Sequence, residues 1–317
     1  MNASPPKARA AGQDATGLAL VLLLLVIVLS LAVPQFLTLR NLSGLALSIT
    51  LIGTIAPSMM LVLALGEVDL SVASTVALAG VVASLITSST HSVSLGIMAG
   101  VLAGGLVGIA NGLLVARLRI NSLIATLAMM EIVRGLAYIV SHGDAVIITQ
   151  ESFVLLGSQT FLGITPPVWL MLASLLLFGV LLKSTVLGRN VLAIGGNAEA
   201  ARLAGVPVRG IRTLIFACQG LIAGLAGVML ASRLSLGDPK TSLGLELAVI
   251  SACVLGGVSL AGGVATIGGV VVGVLIMGCV QNALGLLNVP TFYQYLVRGG
   301  ILLLAVAFDR WKSTRRG

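Results

Sequence analysis

Residues 94–116 read SLGIMAGVLAGGLVGIANGLLVA. The run carries no charge and shows none of the apolar–polar alternation of a barrel strand. As a helix it rises about 35 Å at 1.5 Å per residue, enough to cross a hydrocarbon core of about 30 Å. Gly100, Gly104, Gly108 and Gly112 recur at every fourth position. Residues four apart share a helix face, so this face is a flat groove for a neighbouring helix. Gly220 with Gly224, and Gly269 with Gly273, repeat the spacing further along the chain. The run stops at Arg117 and Arg119, where charge returns.

The same texture extends across all 317 residues. Hydrophobic residues make up 58% and charged residues 9%, against about 25% charge in a soluble domain. So few charges cannot build a water-facing surface, and lipid is the solvent implied. The fold class expected is all-α: a polytopic membrane protein of about ten transmembrane helices. The expected spans are 18–33, 43–65, 70–88, 94–116, 121–141, 166–183, 213–231, 244–260, 264–284 and 291–308. They form a single transmembrane domain, 1–317, with a cytoplasmic N-terminal tail at 1–17, an inner loop at 183–212 and a basic tail at 309–317.

The charges set the orientation. Counting from an inside start, the inner segments hold Lys7, Arg9, Arg117, Arg119, Lys183, Arg189, Arg202, Arg209, Arg212, Arg310, Lys312, Arg315 and Arg316. The outer segments hold only Arg40, Arg233 and Lys240, while Arg134 and Arg298 fall within spans. Thirteen against three puts both termini in the cytoplasm. The net charge of +8 is therefore topology-setting charge in short loops, not a nucleic-acid-binding stripe. The first run is followed by Val33-Pro34-Gln35-Phe36, which is not a cleavage site, so it reads as a retained span.

Catalytic chemistry is not evident. The nearest approach to a phosphate loop, residues 179–185, lacks the glycine before Lys183. Cys218, Cys253 and Cys279 lie in apolar runs without metal-ligand spacing and read as small buried hydrophobes. His91 and His142 fall in outer loops, and the longest outer loop, 142–165, ends at Pro166-Pro167.

Three sets of polar residues stand out. In the inner loop, Asn197 suits a helix N-cap, Glu199 its first turn and Gly205 its stop, followed by Pro207. This short helix reads equally as a docking element or as a solvated loop helix. Glu67 and Asp69 interrupt an apolar stretch. They are either solvated carboxylates of a tight turn or part of a broken helix lining a transport path, and Asp69 is also placed to cap a helix starting at Leu70. Glu131 and Arg134 lie three apart on one face of the fifth span. They either neutralise each other or make polar contacts along a pathway. Glu246 and Arg298 sit near outer span ends, where snorkelling, mutual pairing or contact with an outer partner are open to them.

Glu199-Ala200-Ala201, three residues, then Gly205 resembles the cytoplasmic coupling motif of bacterial ABC import permeases, with Ile215 at the motif's isoleucine position. Ala217-Cys218 stand where that motif ends in leucine–proline, a departure shared with the sugar-type branch. GRNVLAIGGNAEAARLAGVPV (188–208), GEVDLSVAS (66–74), SACVLGGVSLAGG (251–263) and VRGGILLLAVAFDR (297–310) are similar to ribose, xylose and arabinose permeases. MMEIVRGLAYIVSHG (129–143) and the Asp-Arg close look most like the L-arabinose branch. The resemblance covers about residues 35–310.

It implies that two permease chains pack together in the inner membrane, with a cytoplasmic ATPase below and a periplasmic sugar-binding protein above. A monosaccharide, a pentose such as L-arabinose, would be the cargo. The chain itself would bind no cofactor, and ATP and Mg would sit on the ATPase. Glu199, Ala200, Ala201, Arg202, Leu203 and Gly205 would be the docking residues. Against this stand an ion- or proton-coupled carrier, for which Glu67, Asp69 and Glu131 could serve, and a membrane scaffold without transport.

Overall fold

The computed structural model describes residues 8–314, and the side chains of residues 17–304, 306 and 307. The ends of the two expected tails, residues 1–7 and 315–317, lie outside the described residues. The fold is helical almost throughout. It comprises α1 (Ala8–Ala32), α2 (Leu39–Ser48), α3 (Thr50–Ala64), α4 (Val72–Thr90), α5 (Val93–Ala116), α6 (Ser122–Val140) and α7 (Glu151–Ser158). It continues with α8 (Pro166–Ser184), α9 (Val186–Gly196), α10 (Ala198–Leu203), α11 (Val208–Leu234), α12 (Leu245–Leu255), α13 (Ile267–Leu286) and α14 (Thr291–Thr314).

Six of these, α4, α5, α6, α8, α11 and α13, are long and apolar enough to cross a membrane. Among the described residues the pair α2 and α3, bent by 41° at its break, passes the same test when taken together. The bend falls where Ser48 and Thr50 turn their hydroxyls back onto the Leu45 and Leu47 carbonyls at 2.8 and 2.7 Å, a bonding pattern that bends helices. The chain is a polytopic all-α membrane protein.

α3 is the axis of the molecule, buried along nearly its whole length, and α4 is buried almost as fully. α5, α8, α11, α12 and α13 pack around them, while α6 lies against α4 and α5, α1 against α13 and α14 against α12. Large apolar side chains on the outer faces, such as Leu106, Ile139, Leu176 and Leu304, are exposed, as lipid-facing positions require.

The glycine row of α5 meets α11 backbone to backbone. A methyl placed on Gly104 would lie 2.6 Å from the Gly224 Cα and closer still to the Gly220 carbonyl oxygen. Gly108 faces Gly220 in the same way, and Gly269 and Gly273 bring α13 onto Gly256 and Ala252 at the end of α12. All three glycine spacings thus mark close helix contacts.

Three sequence expectations need correction. The run 244–260 is not one continuous helix, since α12 covers only 11 residues, about 16 Å. The chain then turns through Gly257, Gly262 and Gly263, all at positive φ, and this segment is tucked against the α3 end, where the Gly263 N–H donates to the Ala64 carbonyl at 2.9 Å. Irregular backbone is tolerated at depth when protein covers it. Much of the expected inner loop 183–212 is helix, because α9 fills its first half and buries Val191 and Ile194. The expected outer loop 142–165 is also structured. Its residues Val146–Ile147 (β1) pair antiparallel with Leu236–Gly237 (β2), and α7 buries Phe153, whose carbonyl accepts from the Ser232 hydroxyl at 2.6 Å.

Candidate functional site

The turn between α3 and α4, residues 65–71, collects the polar contacts at one end of the bundle. Gly66 there has φ +77°, which reverses the chain after α3. The Val68 and Leu70 N–H groups donate to the hydroxyls of Ser122 and Thr126 in the first turns of α6, at 3.2 and 3.1 Å. Asp69 is only 2% exposed. Its Oδ1 accepts from the Ser71 N–H at 2.9 Å and the Ser71 hydroxyl at 2.7 Å. The Asn111 amide of α5 donates to that same Ser71 hydroxyl at 2.7 Å. Asp69 thus makes a buried turn onto Ser71 rather than the expected cap, because α4 begins at Val72 with Ser71 at its N-cap and without a side-chain cap bond.

Glu67, 9% exposed, points the other way. Its Oε1 lies 3.1 Å from Nε of Arg212, in the first turns of α11. Asp69 is buried and Glu67 is largely covered, so neither is a freely exposed turn carboxylate. The two lie in the break between helices.

α10 projects beside this turn. The Asn197 side chain accepts from the Ala200 N–H at 2.9 Å, the expected N-cap. At the other end the Gly205 N–H donates to Arg202 and the Val206 N–H to Ala201, each at 3.0 Å, with Gly205 at φ +85°. That double closure around a left-handed glycine is the Schellman arrangement. Ala201 is buried beneath the helix, whereas Leu203 is 76% exposed at its tip. Arg202 Nε donates to Glu199 Oε2 at 3.0 Å on the outer face. The Arg202 hydrogen bonds, and behind them its charge, hold the Glu199 carboxyl below its ordinary value and raise that of Arg202.

Between α10, the start of α11 and the α5–α6 connection lies an open cleft of about 810 Å³. Glu67 and Arg212 line it together with Glu199, Arg202, Arg209 and Arg119. Six residues expected to act together in docking are thus on one projecting element, and Glu67 sits in the cleft beside it.

The remaining candidates lie elsewhere. Glu131 is exposed on α6 and forms no ion pair with Arg134, contrary to the neutralising pair anticipated. Arg134 instead donates to the carbonyls of Pro239 and Thr241, the latter at 3.0 Å. A guanidinium carries five donors, and a carboxylate one turn away competes poorly with backbone acceptors already held in place. Glu246 and Arg298 are not paired either. Arg298 lies over the Tyr295 ring at 5.5 Å, and Glu246 occupies the first turn of α12. Arg212, Asn111, Ser122 and Thr126 were not singled out from sequence, although Asn111 is the one amide in the glycine-striped run of α5. Among the described residues no cluster of three His, Cys, Asp or Glu side chains is arranged to hold a metal ion.

Comparison with known proteins adds the following. A family model described as "Branched-chain amino acid transport system / permease component" matches residues 41–306. The chain is 64% identical to the L-arabinose ABC transporter permease protein AraH of Azospirillum brasilense, over 95% of this chain and 89% of that one. It is 53% identical to the L-arabinose transport system permease protein AraH of Escherichia coli strain K12, over 95% and 92%. To the ribose import permease protein RbsC of Bacillus subtilis strain 168 it is 40% identical, over 92% and 91%. No solved structure matches it.

Proposed function

This chain belongs to the family of branched-chain amino acid transport system permease components, and on that premise we propose that its cargo is a monosaccharide, L-arabinose before other pentoses. It is the membrane-spanning permease subunit of an ABC importer, a multi-pass protein of the inner membrane. It works with other subunits, and ATP hydrolysis belongs to a separate one. The observation that carries the choice of sugar is the gradient of identity. Relatives named for L-arabinose match far better than those named for ribose, over nearly the whole chain. No observation favours a gradient-driven carrier.

The geometry of α10 supports one reading of the rest of the assembly. Glu199, Ala200, Ala201, Arg202, Leu203 and Gly205 form the docking element for a cytoplasmic ATPase, because α10 offers one exposed leucine on a rigidly capped helix. Burying that leucine contributes about 1.5–3 kcal/mol, one to two decades of affinity. The α10 end of the bundle is then cytoplasmic. The ten apolar segments of the single domain 1–317 cross the membrane with both termini inside, by the asymmetry of Lys and Arg between the loops. A second permease chain and a periplasmic sugar-binding protein complete the complex. ATP with Mg is bound by the ATPase and no cofactor by this chain. Transport is alternating access: the ATPase contacts two permease states differently, and that difference drives the shift between them. Asp69, Glu131 and Arg134 remain the candidates for polar positions along the path, and Glu246 and Arg298 for the outer face, while Glu67 faces the cleft beside α10.

Uptake of radiolabelled L-arabinose tests the assignment. Deleting the chain should abolish high-affinity uptake, and restoring it should recover it. Excess unlabelled L-arabinose should compete more strongly than ribose, and leucine should not compete. Competition by leucine, or uptake indifferent to the deletion, would refute the assignment.

A further inference from the structure

Resting on the permease reading, we propose that the Glu67–Arg212 ion pair links the projecting α10 corner to the transmembrane core, so that ATP hydrolysis moves sugar. Both residues are positioning residues. They act by fixing the α3–α4 turn relative to α11, not by touching ATP.

The turn carrying Glu67 is anchored on its other sides. Ser122 and Thr126 of α6 accept from its backbone, and Asp69 and Ser71 tie it to Asn111 of α5. It is thus a fixed point shared by four helices. The α10 corner is held differently. Its own ion pair, Glu199–Arg202, is local and fully exposed. Its contact with the core is apolar, through Ala201, Ala198 and Val206. Among the described residues only one ion pair reaches from this corner to the fixed turn, and it is Arg212 with Glu67. Arg212 follows α10 by a short connection that runs through Pro207 into α11, so displacement of α10 is delivered to it directly.

The surroundings suit a link that opens and closes. The Glu67 and Arg212 side chains are 12% and 26% exposed, on the wall of the 810 Å³ cleft. Largely covered side chains hold such a pair more firmly than bulk water does, where the same attraction is weak and each charge is solvated separately. Widening the cleft by moving α10 therefore converts a firm link into a loose one. Two arrangements of one charge pair, separated by admission of water, are what a coupling element requires.

The test uses the permease with its ATPase and binding protein in proteoliposomes, measuring ATP hydrolysed per sugar delivered. Glu67→Gln and Arg212→Gln keep side-chain size and remove one charge each. We expect both at wild-type membrane levels and still bound to the ATPase. Hydrolysis should continue while uptake per ATP falls by roughly 5–150-fold, the range of typical coupling energies. The exchange Glu67→Arg with Arg212→Glu restores the pair in reverse and should recover a large part of the coupling. A merely structural role would lower hydrolysis and uptake together, or lower the amount of protein, and leave their ratio unchanged. That result, fully coupled single variants, or an exchange variant no better than either single would overturn the proposal. If the wild-type complex itself takes up sugar without ATP, the permease reading fails. If it is ATP-driven and the single variants stay coupled, only the ion-pair proposal fails.

Discussion

Replacing Gly104 by alanine should loosen the principal helix contact of the bundle. The added methyl meets the Gly220 carbonyl oxygen and lies 2.6 Å from the Gly224 Cα, so α5 and α11 must part by about 1 Å to reach ordinary contact. A gap of that size forfeits roughly a quarter to a half of each pairwise attraction of about 0.1–0.2 kcal/mol. Over some 30 atom pairs along the glycine rows the loss is about 1–3 kcal/mol, the usual cost of overpacking.

Alanine also favours helix over glycine by up to about 1 kcal/mol, so the change needs an internal reference. Gly135→Ala in α6 is that reference, because nothing lies within 4 Å of a methyl there. The melting temperatures of the two variants should differ by roughly 3–10 °C, with Gly104→Ala the lower. Buried Cys253 and Cys279 supply the readout, since a thiol-reactive dye labels them as detergent-solubilised protein unfolds. If Gly104→Ala melts at or above Gly135→Ala, the backbone-to-backbone packing of α5 on α11 is wrong.

Leu203→Asp should insert normally, weaken ATPase co-purification by one to two decades, and reduce uptake to background. Gly205→Val should do the same, because a β-branched residue is strained at φ +85° even though open space surrounds it. Glu199→Gln should cost less, as it removes only an exposed charge, and normal uptake by Leu203→Asp with its ATPase bound would exclude α10 as the docking element. For topology, a reporter active only in the periplasm should be silent when fused after Gly317 and active near Gly157. Activity at the C-terminus would rule out an even number of spans.

Features encoded by local spacing were legible in the sequence. The glycine rows, the Asn197 cap and the Gly205 stop each depend on a few neighbouring residues, and the structure places them as read. Features settled by distant contacts were not. The segment after α12 has the composition of a membrane span, and only its burial against the α3 end allows it to be irregular. Glu131 and Arg134 have ion-pair spacing, but the Pro239–Thr241 backbone takes the arginine. Glu67 showed as a charge in apolar sequence, yet its partner Arg212 counted only toward topology, because nothing local joins the two. α9 was hidden because its glycines and single arginine read as loop, although it buries a narrow stripe including Val191 and Ile194.

The central claim, that this chain is moved by a partner's ATP hydrolysis, is tested most directly by the energy source for uptake. Inside-loaded proteoliposomes holding the permease and ATPase would be given labelled L-arabinose and the binding protein, with the proton gradient collapsed by an uncoupler. The account predicts uptake that requires internal ATP and is unaffected by the uncoupler. Uptake driven by an ion gradient in the absence of ATP would contradict it.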